Sequence, residues 1–118
     1  MQSVFSVQEN LSHARGTEWQ KAAAGTNSGA IATQPAAANV IHKIFWVQFF
    51  TDADSILQIL DDTTVEWEGK LDVDVAGWNY PFYFPVPLIG SSGKKVVAKI
   101  ASSSSDCHVS FGGFSTRN

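Results

Sequence analysis

The residues of this chain that could take part in chemistry are few, and their spacing suits local structure better than a reaction. Gly90-Ser91-Ser92-Gly93-Lys94-Lys95 has the look of a phosphate-binding loop. That motif needs four residues between its glycines, a Ser or Thr after the Lys, and a helix whose N-terminus holds the anion. Here two residues separate the glycines, Lys95 follows Lys94, and no helical pattern comes next. The stretch reads as a β-turn. Asp52, Asp54, Asp61 and Asp62 are hard oxygen ligands of the calcium type. They lie in two turns at opposite ends of one strand, so they cannot share an ion unless another chain joins them. Asp61-Asp62-Thr63-Thr64 also lacks the Gly and distal Glu of a calcium loop. Aspartate favours turns because its side chain bonds the nearby backbone, and that is the reading here.

Glu66 and Glu68 are alternate residues of one strand, about 7 Å apart on one face by strand rise. Glycosidase carboxylates have a similar separation, but they flank the sugar bond from two sides. A solvated strand face fits this pair better. His13, His42 and His108 share no ligand spacing. His42 falls on a face with Ile44, Trp46 and Gln48, and His108 falls with Ser110. Cys107 and His108 point to opposite faces of a strand, so they form no nucleophile–base pair, and Cys107 reads as a buried thiol. The aromatic set Trp46, Trp67, Trp78, Tyr80 and Tyr83 is the best functional candidate, as a platform on which sugar rings could stack. Against it, Trp67 alternates as core and Trp78 sits in a turn beside Gly77 and Asn79.

The elements that must carry these residues are strands. Ala30–Gln34 is a short strand stopped by Pro35, and Val40–Phe50 is a long one rich in β-branched and aromatic residues. Ile56–Leu60 and Val65–Leu71 follow, separated by the Asp61–Thr64 turn. Val65, Trp67 and Leu71 alternate against Glu66, Glu68 and Lys70, which marks a half-buried strand, with Gly69 as a candidate bulge. Tyr80–Val86 holds Pro81 and Pro85 and meets Pro87, so it belongs at a sheet edge. Lys95–Ile100, the Ser102–Ser105 turn and Cys107–Phe114 complete the series. No helical stripe intervenes, so the fold is an antiparallel β-sandwich of about seven or eight strands. Residues 1–18 are polar and weakly periodic, and they read as an extended N-terminal arm ahead of a β-sandwich domain at 19–118. The arm is expected to order on a neighbouring subunit or a larger surface.

The chain has 118 residues, which points to one domain with a real core. Only 16% of residues are charged and the net charge is −3. Without a basic stripe, neither nucleic acid nor an anionic membrane is an expected partner. The single cysteine excludes an internal disulfide. There is no run of 18 apolar residues and no signal-peptide pattern at Met1–Phe5, so synthesis in a cytosol is expected. No cofactor, metal or catalytic residue is expected. Phe45, Trp46, Phe49 and Phe50, with Trp19, are the candidate interface residues. The Val40–Phe50 strand is apolar on both faces, and only one face can fill the core. Self-association, or the arm folded back, must cover the other.

The order of features also resembles a known group. Trp19-Gln20-Lys21-Ala22-Ala23-Ala24-Gly25 precedes a small-residue strand, a Pro-Ala-Ala-Ala linker and a long strand. Ile59–Leu71, the Pro-flanked Phe82–Gly90 and Val109-Ser110-Phe111-Gly112-Gly113-Phe114 follow. Over about residues 19–115 this pattern resembles small structural proteins of tailed-phage virions, of the head decoration or cement kind. The resemblance implies a jelly-roll-like sandwich, a homotrimer, and a place on the capsid surface bound to the major capsid protein. It carries over no catalytic residues. A phage fibre or receptor-binding module is the alternative within the virion, and a carbohydrate-binding β-sandwich is the alternative from another class.

Overall fold

A computed structural model describes residues 16–25, 29–71, 82–101 and 106–117. Eight strands lie among them: β1 (Thr17–Gly25), β2 (Ala30–Gln34), β3 (Val40–Thr51), β4 (Ser55–Asp61), β5 (Thr64–Leu71), β6 (Phe82–Ile89), β7 (Val96–Ala101) and β8 (Cys107–Arg117). Two four-stranded sheets face each other. The front sheet runs β1-β8-β3-β6 and the back sheet β2-β7-β4-β5. The antiparallel pairs β1–β8, β2–β7, β3–β6 and β4–β5 describe one long hairpin rolled over on itself. Contacts β3–β8 and β4–β7 then close each sheet. This is the jelly-roll strand order, so the expected fold class holds.

Alternation along the strands builds the core. Ile44, Val47, Leu57, Ile59, Val96, Ile100, Val109 and Phe111 point between the sheets and are nearly inaccessible to solvent. Each such side chain contributes about 1.5–3 kcal/mol of burial before entropy costs. Trp19 joins them from the edge strand β1, edge-on to Phe111 at 5.0 Å and to His42 at 5.9 Å. His42 is a buried polar group with both ring nitrogens bonded. Nε2 faces the Pro35 carbonyl at 2.8 Å, so it carries the proton and donates. Nδ1 then accepts from the Ser115 hydroxyl at 2.5 Å. That bond ties the start of β3 to the end of β8.

The turns behave as their residues imply. Asp62 adopts φ 58°, a left-handed conformation that Asp tolerates, and its N–H donates to the Lys95 carbonyl at 2.8 Å. The Asp61 carboxylate accepts from the Ser91 N–H at 3.0 Å and the Ser91 hydroxyl at 2.5 Å. It therefore pins the Gly90–Gly93 turn to the β4–β5 turn. Gly93 has φ 73° and its N–H donates to Val40 at 2.9 Å, so the segment is a turn and not an anion loop.

Several boundaries differ from the sequence expectation. The first strand starts at Thr17 and so takes in two residues assigned to the arm. Residues 1–15 lie outside the described residues. β1 pairs beside β8 at the sheet edge, so residues 17–25 do not cover the aromatic face. The Pro-containing strand is Phe82–Ile89, at the front-sheet edge as expected; Tyr80 and Pro81 lie outside the described residues. The Ser102–Ser105 turn and Trp78 also lie outside them. In β5 the bulge is not at Gly69. Ile59 pairs with Trp67 and Leu60 with Val65, which leaves Glu66 as the extra residue. The alternation therefore breaks there. Trp67 turns inward, Val65 turns outward, and Glu66 and Glu68 are no longer alternate residues of one regular face.

Candidate functional site

The outer face of the front sheet is built by a second bulge. In β3, Ile44 pairs with Gly113 of β8 and Trp46 pairs with Gly112, so Phe45 is an extra residue. A bulge re-aims side chains by one position. Before it, His42 and Ile44 point inward; after it, Val47, Phe49 and Thr51 do. Phe45 and Trp46 consequently both point outward, next to each other. Strand β6 bulges at the same level: Leu88 pairs with Ile44 and Tyr83 with Trp46, with Phe84 to Pro87 between. Tyr83 thus stands beside Trp46 on the outer face and is 66% exposed.

Two glycines of β8 shape what lies between. A Cβ on Gly112 would come within 2.6 Å of Trp46 Nε1 and 2.7 Å of Cε2 and Cζ2. The indole therefore lies over Gly112, a place that only a residue without a side chain leaves open. A Cβ on Gly113 would collide with the Lys43 backbone carbonyl. Phe45 and Phe114 meet edge to face at 5.2 Å and 86°. The result is an open groove of about 290 Å³, lined by Glu18, Phe45, Trp46, Tyr83, Gly113 and Phe114. Glu18 pairs with Phe114 at the β1 edge, and Tyr83 stands on β6 at the other edge, so the groove crosses the strands. Three inter-strand spacings make its length about 14 Å.

The residues expected at an interface divide. Phe45, Trp46 and Phe50 lie on the outer face, with Phe50 farther along β3 beside His108. Phe49 does not, because it points inward and is 9% exposed. Trp19 is also corrected to the core, half-buried against Phe111 and His42. The aromatic platform divides as well. Trp67 packs inward on Phe82 and Phe84, with ring centroids 6.0 and 5.6 Å away. Of the described members of that set, Trp46 and Tyr83 line the groove. His42 does not share a face with Trp46 and Gln48, because the bulge lies between them. Glu18, Phe114 and the glycine pair were missed as site residues. The signal was present in Phe111-Gly112-Gly113-Phe114, where paired glycines interrupt a strand.

The remaining polar groups do not assemble. Among the described residues no group of three His, Cys, Asp or Glu side chains converges. Cys107 is buried on the inner face, and desolvation raises its thiol pKa above the ordinary value, against a smaller lowering from its bond to the Gly25 backbone.

No protein-family model matches the chain, and no curated protein matches it. Two solved structures are similar at low identity. One is TmCBM61 in complex with β-1,4-galactotriose, at TM-score 0.38 and 14% identity, covering 86% of this chain and 69% of that one. The other is CapF with the inhibitor 3-isopropenyl-tropolone, at TM-score 0.30 and 11% identity, covering 76% and 25%. At these scores neither carries an argument about what this chain does.

Proposed function

We propose that this chain is a non-enzymatic structural protein, a decoration or cement protein of a tailed-phage head. In this reading it is made in the host cytoplasm, assembles as a homotrimer, and binds the major capsid protein at the shell surface. The observation that supports the reading is the edge that β6 forms among the described residues. Val86 and Ile89 there are 74% and 61% exposed, apolar side chains on a strand that also carries Pro85 and Pro87. The prolines lack N–H donors, so the edge is poorly suited to recruiting another strand. Contact at this edge is then made by side-chain packing, which a symmetric oligomer supplies. Weak contacts repeated in each subunit add up on a symmetric shell. Binding only the assembled shell stabilises it by mass action.

Sedimentation of the purified protein tests the trimer, and Val86→Asp with Ile89→Asp should convert it to monomer. A wild-type monomer at micromolar concentration would overturn the oligomer. Particles lacking the protein should burst at lower temperature than complete ones; equal survival would overturn cementing. The receptor- or carbohydrate-binding alternative stands on a different surface, the groove.

A further inference from the structure

We propose that the groove across the front sheet binds an uncharged oligosaccharide, threaded across the strands from Glu18 to Tyr83. The inference rests on a binding role for this face and is independent of the trimer.

A pyranose ring has an apolar C–H face and a rim of hydroxyls, and it needs a lining that answers both. Trp46 and Tyr83 supply adjacent aromatic surfaces. They are paired residues on neighbouring strands, one over Gly112 and the other 66% exposed. Phe45 and Phe114, locked edge to face, complete the apolar floor. Glu18 ends the groove with an exposed carboxylate, an acceptor for ring hydroxyls. Among the described lining residues it is the charged one, and a uronate or other acidic sugar set against it would meet repulsion. The groove is open and about 14 Å long by strand spacing, which suits several linked rings better than one. Flat aromatic groups spend little conformational entropy on contact, so a shallow groove can still bind. Gly112 and Gly113 hold the geometry: a side chain at the first displaces the indole, and one at the second strikes β3.

Calorimetric titration of the whole protein with neutral gluco- and galacto-configured trioses and hexaoses, a trigalacturonate and a proline-rich peptide tests this. A neutral series should bind, with the hexaose at least as tight as the triose. Trp46→Ala should weaken that binding about tenfold or more, the loss expected for one stacking platform. Glu18→Gln should weaken it less and reduce the discrimination against trigalacturonate. Trp46→Phe, which keeps an aromatic face, should retain part of the affinity and separates a lost contact from a misfolded variant. Val86→Asp with Ile89→Asp should leave glycan affinity unchanged while dissociating any oligomer, so the two proposals fail separately. No binding of any neutral glycan at millimolar concentration would overturn the inference. So would preference for trigalacturonate, binding of the peptide alone, or a Trp46→Ala variant that binds as wild type.

Discussion

Trp46 and Trp67 each lie against a glycine, and the two meet opposite fates. In the front sheet a bulge at Phe45 turns Trp46 outward over Gly112. In the back sheet a bulge at Glu66 leaves Trp67 inward, its ring tip 3.0 Å from where a Cβ of Gly69 would sit. One device, an extra residue in a strand, thus makes a solvent-facing aromatic groove on one sheet and a core plug on the other. The outer faces differ accordingly. The back sheet carries Ile31, Leu60 and Val65 beside Gln58, Glu68 and Lys99, and Gln58 donates to Glu68 at 3.2 Å. The groove of the front sheet presents Phe45, Trp46, Tyr83 and Phe114 beside the Glu18 carboxylate. The register on either side of each bulge, and not the tryptophan itself, sets which face the indole takes.

Exchanging the two tryptophans for alanine should separate them most widely. Trp67→Ala removes a ring packed on Phe82 and Phe84 and should cost about 3 kcal/mol by urea denaturation. Trp46→Ala leaves the core intact and should cost about 1 kcal/mol. Equal losses would mean that Trp46 is a core residue and the groove is not a surface feature.

The glycines sharpen the same contrast at a smaller scale. Gly112→Ala places a methyl group against three indole atoms and should cost about 1–3 kcal/mol, with a change in tryptophan fluorescence as Trp46 lifts. Gly69→Ala meets only the ring tip of Trp67 and should cost less. A larger loss at Gly69 would contradict the assignment of the tighter indole contact to the front sheet.

The inner face offers a test by pH. Burial raises the Cys107 pKa, so the folded chain holds that proton more tightly than the unfolded one. Its contribution is fully present below the ordinary thiol value of 9.0 and is lost as pH rises through the raised folded value. Stability measured from neutral to alkaline pH should be flat at first and then fall. Cys107 should also react with a thiol reagent much more slowly in the folded chain than in urea. Rapid reaction in the native state would show that the end of the sandwich near Cys107 is open.

Much of the fold was legible because alternation and turn chemistry are local. Ala30–Gln34 ends at Pro35, the Asp61–Thr64 turn is where its aspartates suggest, and the prolines place β6 at an edge. The site was legible only in part. Phe45 and Trp46 could be named, but an unbroken alternation cannot put both on one face. The bulge that does so depends on Gly112 and Gly113, which lie more than sixty residues away on β8. The same blindness placed Val65 with Trp67 and His42 with Trp46. Phe49 and Trp19 looked like interface residues because apolar type alone does not say which side of a sheet a residue takes.

The smallest expected effects are at two exposed carboxylates. Glu18→Gln and Glu68→Gln should each change stability by less than about 0.5 kcal/mol. Only the first should alter ligand binding.

The central claim is that the front sheet's outer face, and not the back sheet's, is the working surface. It is tested most directly by one binding assay on two matched double variants, Trp46→Ala with Tyr83→Ala and Ile31→Ala with Val65→Ala. With the neutral hexaose as ligand, the first pair should lose about tenfold or more in affinity and the second should bind as wild type. Equal losses, or a loss confined to the Ile31 and Val65 pair, would contradict the account.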